Sequence, residues 1–202
     1  MTIVIGLTGS IATGKSTVSR MFDEWDIPVI DADRLSREVV EPGEKAYEEI
    51  VELFGENVLL HTREIDRKAL GKIIFGDEDN RKKLNEIVHP EVRKRMIEKR
   101  EFYKDAGEEA VVLDIPLLFE SGLTDYVDKT MVVYTDDSVQ LHRLMERDGS
   151  SEEDARERIQ AQMKISEKAT LADAVINNNG SEAETREQLE ALLQNWKVIK
   201  KS

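Results

Sequence analysis

The stretch GLTGSIATGKSTV, residues 6–18, carries the most information about how this chain folds. Gly9, Gly14, Lys15 and Ser16 stand in the order G-x-x-x-x-G-K-S. An apolar run, Ile3 to Leu7, precedes them and a helical pattern, Lys15 to Trp25, follows. Strand, loop and helix in that order are the setting in which this spacing cradles phosphates. Gly9 and Gly14 open backbone dihedrals closed to other residues and let the main chain approach a phosphate closely. The N–H groups of Ala12, Thr13, Gly14, Lys15, Ser16 and Thr17 are expected to converge on phosphate oxygens, helped by the positive end of the helix. Lys15 is expected on the β- and γ-phosphates, and the Ser16 hydroxyl on Mg²⁺. The loop predicts a bound nucleoside triphosphate. It does not say where the phosphate goes.

Working outward, further short apolar runs read as buried parallel strands: Pro28 to Ile30, Ala110 to Ile115, Thr130 to Tyr134 and, more weakly, Ala174 to Ile176. Helical patterns alternate with them, at Ser138 to Arg147, capped by Asp136 or Asp137, and at Glu182 to Trp196. Such alternation predicts an α/β fold. The expected form is a P-loop NTPase three-layer α/β/α arrangement on a five-stranded, mainly parallel sheet. About 75 residues between the second and third strands carry no strand pattern. Lys45 to Phe54, Asp66 to Phe75 and Asn80 to Tyr103 read as helices, the last interrupted near Val88 by Pro90. A charged segment, Asp148 to Ala169, opens on a capping box, Ser150 to Glu153. The expected division is a nucleotide-binding core at 1–34, 110–145 and 170–202, a helical acceptor domain at 35–109 and a lid at 146–169.

Composition narrows the classes. The 202 residues include no cysteine, which excludes disulfides, thiolate metal sites and cysteine nucleophiles. The net charge of -13 argues against nucleic acid and anionic membranes as partners. Cations that hold phosphates must then be few and clustered. No apolar run approaches the roughly 18 residues of a membrane span, and no basic stretch precedes Ile3, so the expected location is cytoplasmic.

Other residues bear on the fate of the phosphate. The D-x-x-G and N-K-x-D patterns of guanine-nucleotide switches and the cassette-transporter signature do not occur. The second strand ends in VIDADR, 29–34. In extended backbone Asp31 and Asp33 share one side, at the strand end that opens on the ligand crevice. Asp33 is the candidate base for an acceptor hydroxyl, although both aspartates could instead cap the next helix. In VVLDIPLLFE, 111–120, Asp114 is a candidate Mg²⁺ ligand, while Leu117 and Leu118 could line an acceptor pocket or equally belong to the core. Arg143 and Arg147 lie four apart on one helical face, where they could clamp phosphoryl oxygens or form a solvated face. His89 and Arg93 on the insertion are candidate acceptor contacts.

These residues, with VVEPG (39–43), HPEVR (89–93), RLMERDG (143–149) and VINNNG (175–180), resemble the dephospho-coenzyme A kinase family from residue 2 to about 195. The resemblance implies transfer of the ATP γ-phosphate to the ribose 3′-hydroxyl of dephospho-coenzyme A, the last step of coenzyme A synthesis. It implies a small-molecule kinase with ATP and Mg²⁺, and makes the helical insertion a coenzyme A domain. It places Asp33 on the catalytic aspartate, Arg143 on the active-site arginine, and Arg147 on the lid side. Asn178 and Gly180 fall in the loop bordering adenine. The family's phosphate loop is usually richer in glycine, and aspartate is usual at 177. Ser10 and Ala12 must therefore take negative φ or accept strain. Another metabolite kinase, or a nucleotide-binding regulator without transfer activity, remains the alternative reading. Oligomeric state is not legible.

Overall fold

The structure, a computed structural model, describes residues 2–200. It divides into two compact units: residues up to Ile30 together with those from Arg100 onward, and Asp31–Lys99.

The first unit is built on a sheet of β1 (Ile3–Gly9), β2 (Val29–Asp31), β3 (Ala110–Asp114), β4 (Lys129–Tyr134) and β5 (Ala174–Asn177). Strand order is β2-β3-β1-β4-β5, and β1 pairs in parallel with both β3 and β4, as β4 does with β5. All five residues of β3 are buried, as expected of strands covered on both faces. Helix α1 (Lys15–Met21), the final helix α9 (Glu182–Asn195) and the sheet share one core, in which Ile5, Leu7, Val18, Phe22, Val112, Met131, Val133 and Leu189 are fully buried. Each such side chain contributes roughly 1.5–3 kcal/mol. The central strand β1 delivers its carboxyl end between two neighbours, where open α/β sheets bind ligands. The register places Leu7 opposite Asp114, so the phosphate loop begins level with that carboxylate.

In the second unit, α2 (Ala32–Glu38), α3 (Lys45–Phe54), α4 (Arg67–Ile74) and the first part of α5 (Glu78–Asp105) are helical. Tyr47, Ile50, Val58, Ile65 and Leu70 form their own core, against which Leu84, Ile87 and Val88 of α5 pack. The predicted break at Pro90 is absent: α5 runs unbroken through 28 residues. Proline removes one hydrogen bond and crowds the preceding turn. Strong helix formers on both sides, and anchorage of Leu84, Ile87 and Val88, outweigh that local cost.

Two further expectations shift. Strand β2 stops at Asp31 and α2 starts at Ala32, so Asp33 is helical and does not share a strand face with Asp31. The Asp31 carboxylate accepts from the N–H groups of Asp33 and Arg34, which starts the helix there. Residues 146–169, expected to form a lid, hold the end of α6 (Asp137–Asp148), α7 (Glu152–Gln160) and α8 (Ile165–Leu171). The cap of α7 is Ser151, one residue later than predicted, with its hydroxyl accepting from the Asp154 N–H.

Candidate active site

The loop between β1 and α1 is held open by its backbone. Gly14 stands at φ 88 and Ala12 at φ 61, both left-handed. Of the two residues that depart from glycine, Ser10 avoids positive φ and Ala12 accepts it, at a cost of roughly 1–2 kcal/mol. Among the described residues, the N–H groups of Ala12, Gly14, Lys15 and Ser16 take no protein partner. Those of Thr13 and Thr17 are turned to the carbonyls of Ser10 and Gly14. Of the six N–H groups expected to form the cradle, four thus have no protein partner among the described residues. The exposed Ser16 hydroxyl is in the first turn of α1.

Lys15 reaches across to Asp114 and forms an ion pair with its buried carboxylate. The lysine required by the motif and the carboxylate at the end of β3 thus meet. Arg143, on α6, donates to the carbonyl of Asn178 at 2.9 Å, and its guanidinium borders Gly14. Arg147 turns elsewhere, to Asp148, which also receives Arg158 of α7. These two arginines hold the Asp148 carboxyl well below the usual carboxylate range, Arg147 contributing most. A depressed carboxylate gives stability above its unfolded pKa that is lost only as pH falls through its folded one. The Arg147–Asp148–Arg158 cluster therefore stays fastened throughout the neutral and mildly acidic range.

The loop after β5 supports the phosphate loop from behind. Asn178 is buried, donates from Nδ2 to the Thr13 carbonyl at 2.8 Å and accepts from the Thr185 hydroxyl. Its side chain is committed to those partners. A Cβ at Gly180 would press on the Glu184 carboxylate, which closes the capping box of α9. Asn177 accepts from the Asn179 N–H, a role an aspartate would fill equally well. Leu118 is wholly buried against Gly6 of β1 and belongs to the core, which excludes it from an acceptor pocket; Leu117 is partly exposed.

In the second unit the Asp33 carboxylate makes no hydrogen bond or ion pair among the described residues, whereas Asp31 is occupied as a cap. His89 and Arg93 lie with Arg81, Lys82, Asn85 and Pro90 along an open groove of about 570 Å³ on α5. Partial burial, then Arg93, lowers the His89 pKa; the groove's cations are Arg81, Lys82 and Arg93, and Glu78 and Glu86 line it as well.

The residues bearing on the loop that sequence reading missed are polar groups far away in the chain. Gln162 Oε1 accepts from the Ile11 N–H at 2.9 Å, and Gln140 Nε2 donates to the Ile11 carbonyl at 2.7 Å. Lys168, fully buried, donates to the Gly9 carbonyl at 3.0 Å. No periodicity or motif marks them, because each acts across more than 100 residues of sequence.

Comparison with known proteins decides the family. The dephospho-CoA kinase family matches residues 3–184. A dephospho-CoA kinase of Geobacillus kaustophilus is 58% identical over 201 residues, covering 100% of both chains. The chain belongs to the dephospho-CoA kinase family. A dephospho-CoA kinase structure from Campylobacter jejuni shares 33% identity and a TM-score of 0.75, covering 97% of this chain and 98% of its own. A crystal structure from Thermus thermophilus reaches a TM-score of 0.81 at 37% identity, covering 96% of this chain and 97% of its own. Dephospho-CoA kinase family membership therefore extends over the α/β core, the helical insertion and the segment of α7 and α8.

Proposed function

We propose that this protein is a cytoplasmic kinase that transfers the γ-phosphate of ATP to the ribose 3′-hydroxyl of dephospho-coenzyme A, yielding coenzyme A. The observation that carries the reading is the 58% identity, over the whole of both chains, to a dephospho-CoA kinase. The four unpartnered N–H groups at a helix N-terminus, with Lys15 beside them, support the donor half. In our reading the loop amides and Lys15 bind the β- and γ-phosphates. Arg143 stabilises charge on the transferring group, and Asp33 accepts the proton of the attacking hydroxyl. Transfer forms a bond from the acceptor oxygen to γ-phosphorus and breaks the bond to the β-bridging oxygen, leaving ADP. Arg93 and His89 are proposed acceptor contacts.

Ser16 and Asp114 are the hard oxygen donors that suit Mg²⁺. Among the described residues no group of three or more acidic, histidine or cysteine side chains could hold an ion alone, so the ion would depend on phosphate ligands. When bound, it would neutralise charge on the phosphate oxygens. Among the described residues no helix is long and apolar enough to cross a membrane.

The test supplies ATP and Mg²⁺ with a panel of alcohol acceptors and locates the transferred phosphate. Transfer to another alcohol but not to dephospho-coenzyme A would reject the reading. For Arg147, held by Asp148 at 2.8 Å, we expect Arg147→Ala to lower turnover on the order of 10-fold, with a smaller change in ATP binding. An effect confined to ATP affinity would make Arg147 a ground-state contact.

A further inference from the structure

Lys168 is the one lysine among the described residues with no exposed surface. A buried ammonium is costly unless every donor is met. Lysine has three donors, and three oxygens receive them: the carbonyls of Gly9 and Pro116, each at 3.0 Å, and Glu120 Oε1 at 2.8 Å. The three acceptors belong to different parts of the site. Gly9 opens the phosphate loop. Pro116 lies two residues past Asp114, the partner of Lys15, and its carbonyl also accepts from the Thr8 hydroxyl. Glu120 receives the Met163 N–H as well, at 3.3 Å.

We propose that Lys168 is a positioning residue for phosphoryl transfer: it sets the phosphate loop by locking the Gly9 carbonyl to the exit of β3 and to the segment before α8. The Gly9–Ser10 peptide is planar and trans, so fixing the carbonyl also fixes the Ser10 N–H on the opposite side. The next groups of the loop are held from the same segment. The Ser10 hydroxyl donates to the Met163 carbonyl at 3.3 Å, and the Ile11 N–H donates to Gln162. The outer arm of the loop is thus built on residues 162–168. That segment is fastened to the core, and the part of the lid free of these bonds is α7. The Ser10 side chain adds a bond to this frame that a glycine could not make. The inference rests on the kinase reading only for its turnover arm; its binding arm needs nucleotide alone.

The experiment is Lys168→Met in the full chain, read by calorimetric titration with ADP and with AMP and by steady-state kinetics. Methionine keeps the apolar stem and removes the three donors. We expect ADP affinity to fall about 10-fold and AMP affinity to change less than about 2-fold, since the loop holds the β-phosphate. We expect kcat to fall on the order of 10–10²-fold with an unchanged KM for the acceptor. A general loss of structure would weaken both nucleotides alike. Lys168→Met with Glu120→Gln removes the stranded carboxylate, and should recover thermal stability without recovering ADP affinity. Unchanged ADP affinity in a folded Lys168→Met protein overturns the proposal. So does recovery of both properties in the double variant, or failure of both variants to fold, since Lys168 would then serve only the fold.

Discussion

Asp33→Asn lowers turnover by about 10²–10⁴-fold and leaves ATP affinity within about 2-fold. Asparagine preserves shape and removes the base. The contrast with Asp31 makes the expectation specific. Asp31 spends its carboxylate on the N–H groups of Asp33 and Arg34, while the Asp33 carboxylate makes no bond among the described residues. Asp31→Asn should therefore be nearly silent in turnover, because asparagine caps helices as well as aspartate does. Single-turnover rates with ATP and dephospho-coenzyme A separate the chemical step from product release. Near-normal rates for Asp33→Asn would remove it from the mechanism, and a larger loss in Asp31→Asn would move the role there.

Gly14→Ala should abolish tight nucleotide binding, with ADP affinity falling more than about 10²-fold. Two costs add. At φ 88 an L side chain is strained by roughly 1–2 kcal/mol. The new Cβ would also overlap the Asn178 amide, which must leave its bonds to Thr13 and Thr185. Stranding a buried polar group costs about 1–3 kcal/mol more. Asn178→Ala makes room for the methyl group, so the Gly14→Ala/Asn178→Ala protein should lose less than the two single losses combined. Additive losses would show that the dihedral, and not the contact, makes glycine necessary here. Thermal unfolding with and without ADP distinguishes loss of the site from loss of the fold.

Much of this was legible locally. The strand-loop-helix at residues 3–21 has a spacing that few backbones can satisfy, so it announced the phosphate loop. Continuous apolar runs located all five strands, and the 3.6-residue period located α3 over Lys45–Phe54 to the residue. Pro90 misled because a local breaker was read without the packing that holds α5 together. Asp33 was read as extended because the strand end could not be seen before Asp31 closed its cap. Leu117 and Leu118 were indistinguishable as neighbours in an apolar run, and only the placement of Leu118 against Gly6 separates them.

The linear chain carries the loop, the family and the candidate chemistry, because these depend on residue type at fixed short spacing. It does not carry the frame around the loop. Lys168 on Gly9, Gln162 and Gln140 on Ile11, and Asn178 on Thr13 join residues more than 100 positions apart. Each is an ordinary polar residue in a polar segment, and becomes specific only where folding buries a main-chain group that must find a partner. The same holds for Arg143 and Arg147. Four residues apart they look equivalent, yet folding turns one to the Asn178 carbonyl beside Gly14 and the other to Asp148.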